Sequence, residues 1–208
     1  MRTRVIQIAL AALLMAAPIV AGQESGSSVA IEIGAGADFS SDYNSVLKDI
    51  YSDYDLGFGG WGFLDIHLGV RCKLNEQLSV TPTLGVLLNY VIVSGGTHDD
   101  SYLNSILVPS LAARYSFTST PSAYIGAEVN YNSPNTGSDI YELKSGGVGY
   151  GGFLGYAFEG DWNAELGYLY LPVEVAGMNV GHYDEDARVY HPADENFGGV
   201  LLRFSKAL

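Results

Sequence analysis

Leu64-Asp65-Ile66-His67-Leu68-Gly69-Val70-Arg71-Cys72-Lys73-Leu74 is followed by Asn75-Glu76-Gln77 and then by Leu78-Ser79-Val80-Thr81-Pro82-Thr83-Leu84-Gly85-Val86-Leu87-Leu88-Asn89-Tyr90. In the first run Leu64, Ile66, Leu68, Val70, Cys72 and Leu74 fall on one face, and Asp65, His67, Arg71 and Lys73 on the other. In the second, Leu78, Val80, Leu84, Val86, Leu88, Tyr90 and Ile92 oppose Ser79, Thr81, Thr83, Gly85 and Asn89. A period of two is the signature of strands with unlike faces. The short polar connection predicts an antiparallel hairpin. A one-residue slip would exchange the faces, so the alternation fixes the register.

The same grammar recurs along the chain. Eight segments are predicted, at roughly 29–39, 60–74, 77–93, 104–117, 122–132, 145–158, 162–174 and 197–205. The gaps at 75–77, 118–121 and 159–161 are tight; those near 40–59, 94–103, 133–144 and 175–196 are long. An even strand count, with short turns at one end and long loops at the other, predicts an all-β fold: an eight-stranded antiparallel up-and-down transmembrane β-barrel.

The N-terminus reads as a targeting segment. Arg2 and Arg4 precede an apolar core from Val5 to Met15, and small residues close at Ala21 and Gly22. This predicts a cleaved signal peptide over 1–22, with the barrel domain over 23–208. No later run of about 20 apolar residues predicts a transmembrane helix. Cys72 is the single cysteine, so no internal disulfide forms. It reads as a small apolar strand residue.

The composition assigns the faces. Charged residues make up only 16% of the chain, against 26 Gly and 15 Tyr. A soluble barrel needs many interspersed charges on its exterior. Here the polar face is mostly Gly, Ser, Thr and Asn, which suits a crowded interior. Its charges come in both signs: Glu32, Asp65, Glu128 and Glu165 against Arg71, Lys73, Arg114 and Arg203, with His67 beside Asp65. These nine residues are predicted to form an interior polar network, because buried charges persist only when paired and hydrogen-bonded.

Aromatic residues give a second test. With both termini at the periplasmic end, Tyr115, Phe117, Tyr156, Phe158, Trp162 and Phe204 fall near that end. Tyr90, Tyr131, Tyr150, Tyr168 and Tyr170 fall near the other. All share parity with the apolar face, which predicts two girdles at headgroup depth. Trp61 and Phe63 break the rule by sharing parity with Asp65; a bulge near Gly60–Gly62 or an aromatic rim inside the mouth accounts for them.

On this architecture the chain resembles the small eight-stranded outer-membrane barrels of the outer membrane protein A transmembrane-domain type. The resemblance covers the whole mature chain and rests on the signal, the paired segments, the girdles and the polar interior, not on a motif. It implies residence in a bacterial outer membrane, insertion by the barrel-assembly machinery and a monomeric barrel. Members commonly end in an aromatic residue, whereas here Phe204 is followed by Ser205-Lys206-Ala207-Leu208.

For function, charge is the clearest guide. The formal net charge is −13, and the predicted outer loops hold thirteen acids against Lys48, Lys144 and Arg188. Such acidic loops repel nucleic acid and suit cationic partners, or divalent cations bridging to outer-membrane lipid and lipopolysaccharide. The densest stretch, His182-Tyr183-Asp184-Glu185-Asp186 and His191-Pro192-Ala193-Asp194-Glu195, lacks calcium-loop spacing, so no metal site is assigned. No cofactor is implied. No residue is assigned as catalytic, since no His-x-Ser pair occurs and neither His67 nor His98 sits in a nucleophile–base pattern. The expectation is a non-enzymatic barrel with a structural and surface-interaction role. Two alternatives stand beside it: a narrow pore or lateral conduit for small hydrophobic solutes, lined by Ile106, Val108, Leu169, Leu171 and Val173, and a lipid-modifying enzyme.

Overall fold

The computed structural model describes residues 28–40, 57–59, 62–95, 98–120, 122–135, 141–177 and 193–208. The predicted signal segment and Trp61 lie outside the described residues, as do most of the predicted acidic loop positions.

Eight strands form the wall: β1 (Val29–Phe39), β2 (Phe63–Lys73), β3 (Leu78–Gly95), β4 (His98–Ser116), β5 (Ala123–Tyr131), β6 (Val148–Ala157), β7 (Trp162–Tyr170) and β8 (Val200–Ala207). Each pairs antiparallel with its neighbour in sequence. β8 closes the sheet on β1, from Glu32↔Ala207 to Phe39↔Val200. Closure leaves the wall without edges, so its ladder satisfies backbone donors and acceptors internally, as a span in lipid requires.

The turns at one end are set by local chemistry. Asn75 Oδ1 accepts from the backbone N–H of Gln77 and Leu78, which folds β2 back into β3. Between β6 and β7, Gly160 and Asp161 take left-handed backbone angles of 75° and 64°, and Phe158 N–H bonds Trp162 carbonyl.

At the other end the wall outruns the predicted segments. The β3–β4 pairing continues to Gly95↔His98, so most of the predicted loop over 94–103 is strand. The segments Tyr141–Ser145, Pro172–Gly177 and Ala193–Asn196 form a separate three-stranded sheet that prolongs β6, β7 and β8. The seventh predicted segment, 162–174, is therefore two strands joined at Leu171. Tyr141–Ser145 and Pro172–Gly177 alternate over only a few residues, with Leu143 and Val173 buried, so they do not stand out in the sequence as separate segments.

The apolar face points outward. Ile31, Ile33, Leu64, Ile66, Leu68, Leu154 and Leu166 are each about half exposed, while Glu32, Asp65 and Glu165 on the opposite parity are buried. An aliphatic exterior over a charged interior is the polarity of a membrane barrel. The aromatics share the outer face. Tyr115, Phe117, Tyr156, Phe158, Trp162 and Phe204 are exposed toward the turn end, and Tyr90, Tyr131, Tyr150 and Tyr168 toward the other. Tyr170 is half-buried, its ring stacked on Tyr150 at 4.9 Å. Lys206 lies over the Trp162 ring at 5.4 Å. Cys72 is free and buried.

Interior glycines set how closely neighbours approach. A Cβ on Gly167 would stand 2.3 Å from the Gly152 carbonyl oxygen and 2.6 Å from Phe153 Cβ, so the β6 backbone would have to move. A Cβ on outward-facing Gly152 would meet nothing nearer than 3.9 Å. Gly167→Ala is therefore expected to cost about 1–3 kcal/mol, the usual range for overpacking, and Gly152→Ala about 0.5 kcal/mol or less. Equilibrium denaturation of the refolded barrel in lipid vesicles checks the pair.

Candidate functional site

Among the described residues the lumen gathers eight of the charged and ionisable side chains of the wall strands. Eight strands leave an interior that side chains can just fill. They fill it in two charged tiers below an apolar one.

The lower tier lies toward the turn end. Arg114 on β4 donates from Nε to Glu165 Oε1 at 2.7 Å, from Nη2 to Glu32 Oε1 at 2.8 Å and from Nη1 to Glu32 Oε2 and Thr81 Oγ1, both at 3.0 Å. Arg71 Nε donates to Glu32 Oε2 at 2.8 Å, and Tyr124 hydroxyl donates to Glu165 Oε1 at 3.0 Å. Two carboxylates thus meet two guanidiniums, with strands β1, β2, β3, β4, β5 and β7 drawn to one knot.

The middle tier centres on Arg203 of β8. Its Nε donates to Asp65 Oδ2 at 2.5 Å, and its two Nη atoms donate to Glu128 at 2.5 and 3.4 Å. His67 Nδ1 lies 3.4 Å from Asp65 Oδ2. Charge-assisted, multidentate contacts of this kind are the strong class of hydrogen bond.

Glycines make these reaches possible. Gly155 pairs with Tyr124 on one side and Glu165 on the other, and Tyr124 lays its ring across the empty position to reach Glu165. A Cβ there would stand 2.1 Å from the ring. Gly36 likewise sits between Arg203 and Asp65, with the Arg203 stem crossing it. Gly126 separates Arg114 from Phe153, whose ring covers the glycine and receives the guanidinium carbon at 5.8 Å.

Above the charges the lumen turns apolar. Phe63, Leu87, Val91, Ile106, Val108, Leu169, Leu171, Val173, Phe197 and Leu201 are all almost wholly buried. The Phe63 and Phe197 ring centroids lie 6.4 Å apart, which places Phe63 as an aromatic rim inside the mouth. Asn89 bonds the Gly62 carbonyl at 2.6 Å, and Asn132 bonds the Pro172 and Gly147 carbonyls at 2.5 and 3.3 Å.

Of the nine residues predicted for the interior network, eight meet here. Lys73 does not: it is exposed, because it ends β2 beside an open turn where its ammonium reaches water. Thr81, Tyr124 and Phe153 join the site without having been predicted for it, and so does Asp38, buried higher on β1. The paired glycines on the polar face were the available signal for the rings, since a large side chain needs an empty neighbour. Among the described residues no hydroxyl, imidazole and carboxylate are joined in a hydrogen-bonded relay. Asp65 is held by Arg203, and the buried Ser205 hydroxyl, one strand beyond Gly34 from His67, hydrogen-bonds to nothing among the described residues.

The architecture matches that of the outer membrane protein OprG from Pseudomonas aeruginosa, with a TM-score of 0.59 over 90% of this chain and 98% of that one. Identity is 15%, so the likeness is one of fold. No protein-family model matches the sequence, and no curated protein does.

Removing one partner from a buried ion pair strands the other and typically costs about 3–5 kcal/mol. Arg114→Met is expected to fall in that range by denaturant titration in lipid, and Lys73→Ala to stay within about 0.5 kcal/mol of wild type.

Proposed function

We propose that this chain is an integral protein of a bacterial outer membrane, exported by its signal segment, whose barrel is a non-enzymatic wall carrying acidic loops at the cell surface. The observation behind this reading is the lumen: both charged tiers cross it from wall to wall, and a packed apolar tier lies above them. Side chains that cross the lumen in this way oppose a wide aqueous channel. Its outward belt of aliphatic and aromatic residues fits a bilayer, and the net charge of −13 fits a surface that meets lipopolysaccharide through divalent cations. Insertion by the barrel-assembly machinery, a monomeric state and the absence of a cofactor belong to the same reading.

A second reading, a lateral conduit for small hydrophobic solutes, draws on a specific feature. The apolar tier includes Ile106, Val108, Leu169, Leu171 and Val173. Beside it the pairing along β4 is interrupted between Leu107↔Ser133, in the short strand Ser133–Asn135 that follows β5, and Ser110↔Asn130 of β5; Pro109, which has no N–H to give, lies in that gap.

Membrane extracts are expected to show a band whose gel mobility changes on heating. The purified barrel in planar bilayers is expected to pass no steady current, whereas Arg114→Ala combined with Arg203→Ala opens small conductance steps. Sustained conductance of the wild type would contradict the closed wall. For the conduit, Leu169→Trp or Ile106→Trp must slow entry of apolar solutes into cells; unchanged entry sinks it.

A further inference from the structure

The middle tier is not balanced. Asp65 and Glu128 share the single guanidinium of Arg203, His67 Nδ1 lies 3.4 Å from Asp65, and Asp38 lies just above them on β1. Arg203 spends its contacts on Asp65 and Glu128. Asp38 is 1% exposed, and neither of its carboxylate oxygens has a hydrogen-bonding partner among the described residues. The Gly199 amide faces the carboxylate without closing a hydrogen bond of ordinary geometry.

The surroundings of this carboxylate differ from those of every other acid in the lumen. Across the sheet Asp38 pairs with Phe63 on β2 and with Leu201 on β8, both inward and almost wholly buried. The Phe197 ring lies against Phe63. On β5, Asn130 stands two residues above Glu128 on the same face, buried, with both its amide oxygen and its nitrogen unpartnered. The lumen at this level thus offers unused acceptors, an excess of negative charge and an apolar wall. A buried carboxylate is tolerated only when its charge and lone pairs are met.

We propose that Asp38 anchors a lumenal binding site for a small organic cation, a primary ammonium on a short apolar chain. The ammonium supplies three donors and one positive charge, which answer the two free oxygens of Asp38 and the tier's excess charge. Its carbon chain lies against Phe63, Leu201 and Phe197. A chelated metal ion fits less well, since no group of three His, Cys, Asp or Glu side chains among the described residues is placed to hold one. The site requires neither an open pore nor transport, so it stands apart from both functional readings above.

Calorimetric titration of the refolded barrel in detergent tests this with n-butylammonium, n-butanol and potassium as probes. Asp38→Asn keeps the shape and removes the charge. Saturable binding of butylammonium to wild type, weakened at least about tenfold in Asp38→Asn as the loss of a charged hydrogen bond implies, is the expected result, with butanol indifferent to the substitution. Equal binding to both proteins, or no saturable binding to wild type, overturns the proposal. Displacement of butylammonium by potassium at equal concentration overturns it in favour of an inorganic ion. A variant that fails to show heat-shifted mobility is set aside, and wild type alone then decides: butanol binding as tightly as butylammonium overturns the site.

Discussion

A charge inside a membrane barrel must be met by another charge. Water is scarce there, the surrounding bilayer offers nothing polar, and an unpaired guanidinium or carboxylate costs several kcal/mol. In this barrel the partners sit on strands that are often not neighbours. Arg114 of β4 reaches Glu32 of β1 and Glu165 of β7; Arg203 of β8 reaches Glu128 of β5. Such spans cross the lumen and fill it. Pairing the charges therefore also lays side chains across the lumen.

The glycines follow from that constraint. Where a strand separates two partners, a side chain on it would block their path. Gly155 lets Tyr124 reach Glu165, and Gly36 lets Arg203 reach Asp65. The glycine content of the inward face is thus tied to long polar and aromatic side chains one strand away. Asp38 is the exception that makes the rule useful. Its row across the sheet is Phe63, Asp38, Leu201, with no glycine, and its oxygens have no hydrogen-bonding partner among the described residues. The same geometry that explains the paired acids leaves this one to be explained by something else.

Much of the barrel was legible in the sequence because two signals agreed. Parity separated Leu64, Ile66 and Leu68 from Asp65 and His67, and tight turns such as 75–77 separated segment from segment. The extensions beyond the predicted segments were not legible: Tyr141–Ser145, Pro172–Gly177 and Ala193–Asn196 are runs of six residues or fewer, too short for a period of two to stand out from the loops around them. The inward charges could be named from parity, and eight of nine met in the lumen. Lys73 did not, because parity places a residue on a face without saying where the strand meets water. Which acid pairs with which arginine depends on strand stagger around a closed sheet, and no single strand carries that information. Parity puts Tyr124 with Glu128 and Asp38 with Glu32 on the inward face, but that Tyr124 reaches Glu165 was not legible, for the same reason.

The most direct test of this account is a double-mutant cycle between Gly155→Ala and Tyr124→Ala, read as unfolding free energies in lipid. The three atoms nearest to a Cβ at position 155 all belong to the Tyr124 side chain. If glycine is there to let that ring reach Glu165, Gly155→Ala costs stability in wild type and almost none once the ring is gone, a coupling of about 1–3 kcal/mol. Additive costs, with Gly155→Ala equally damaging in both backgrounds, would contradict it.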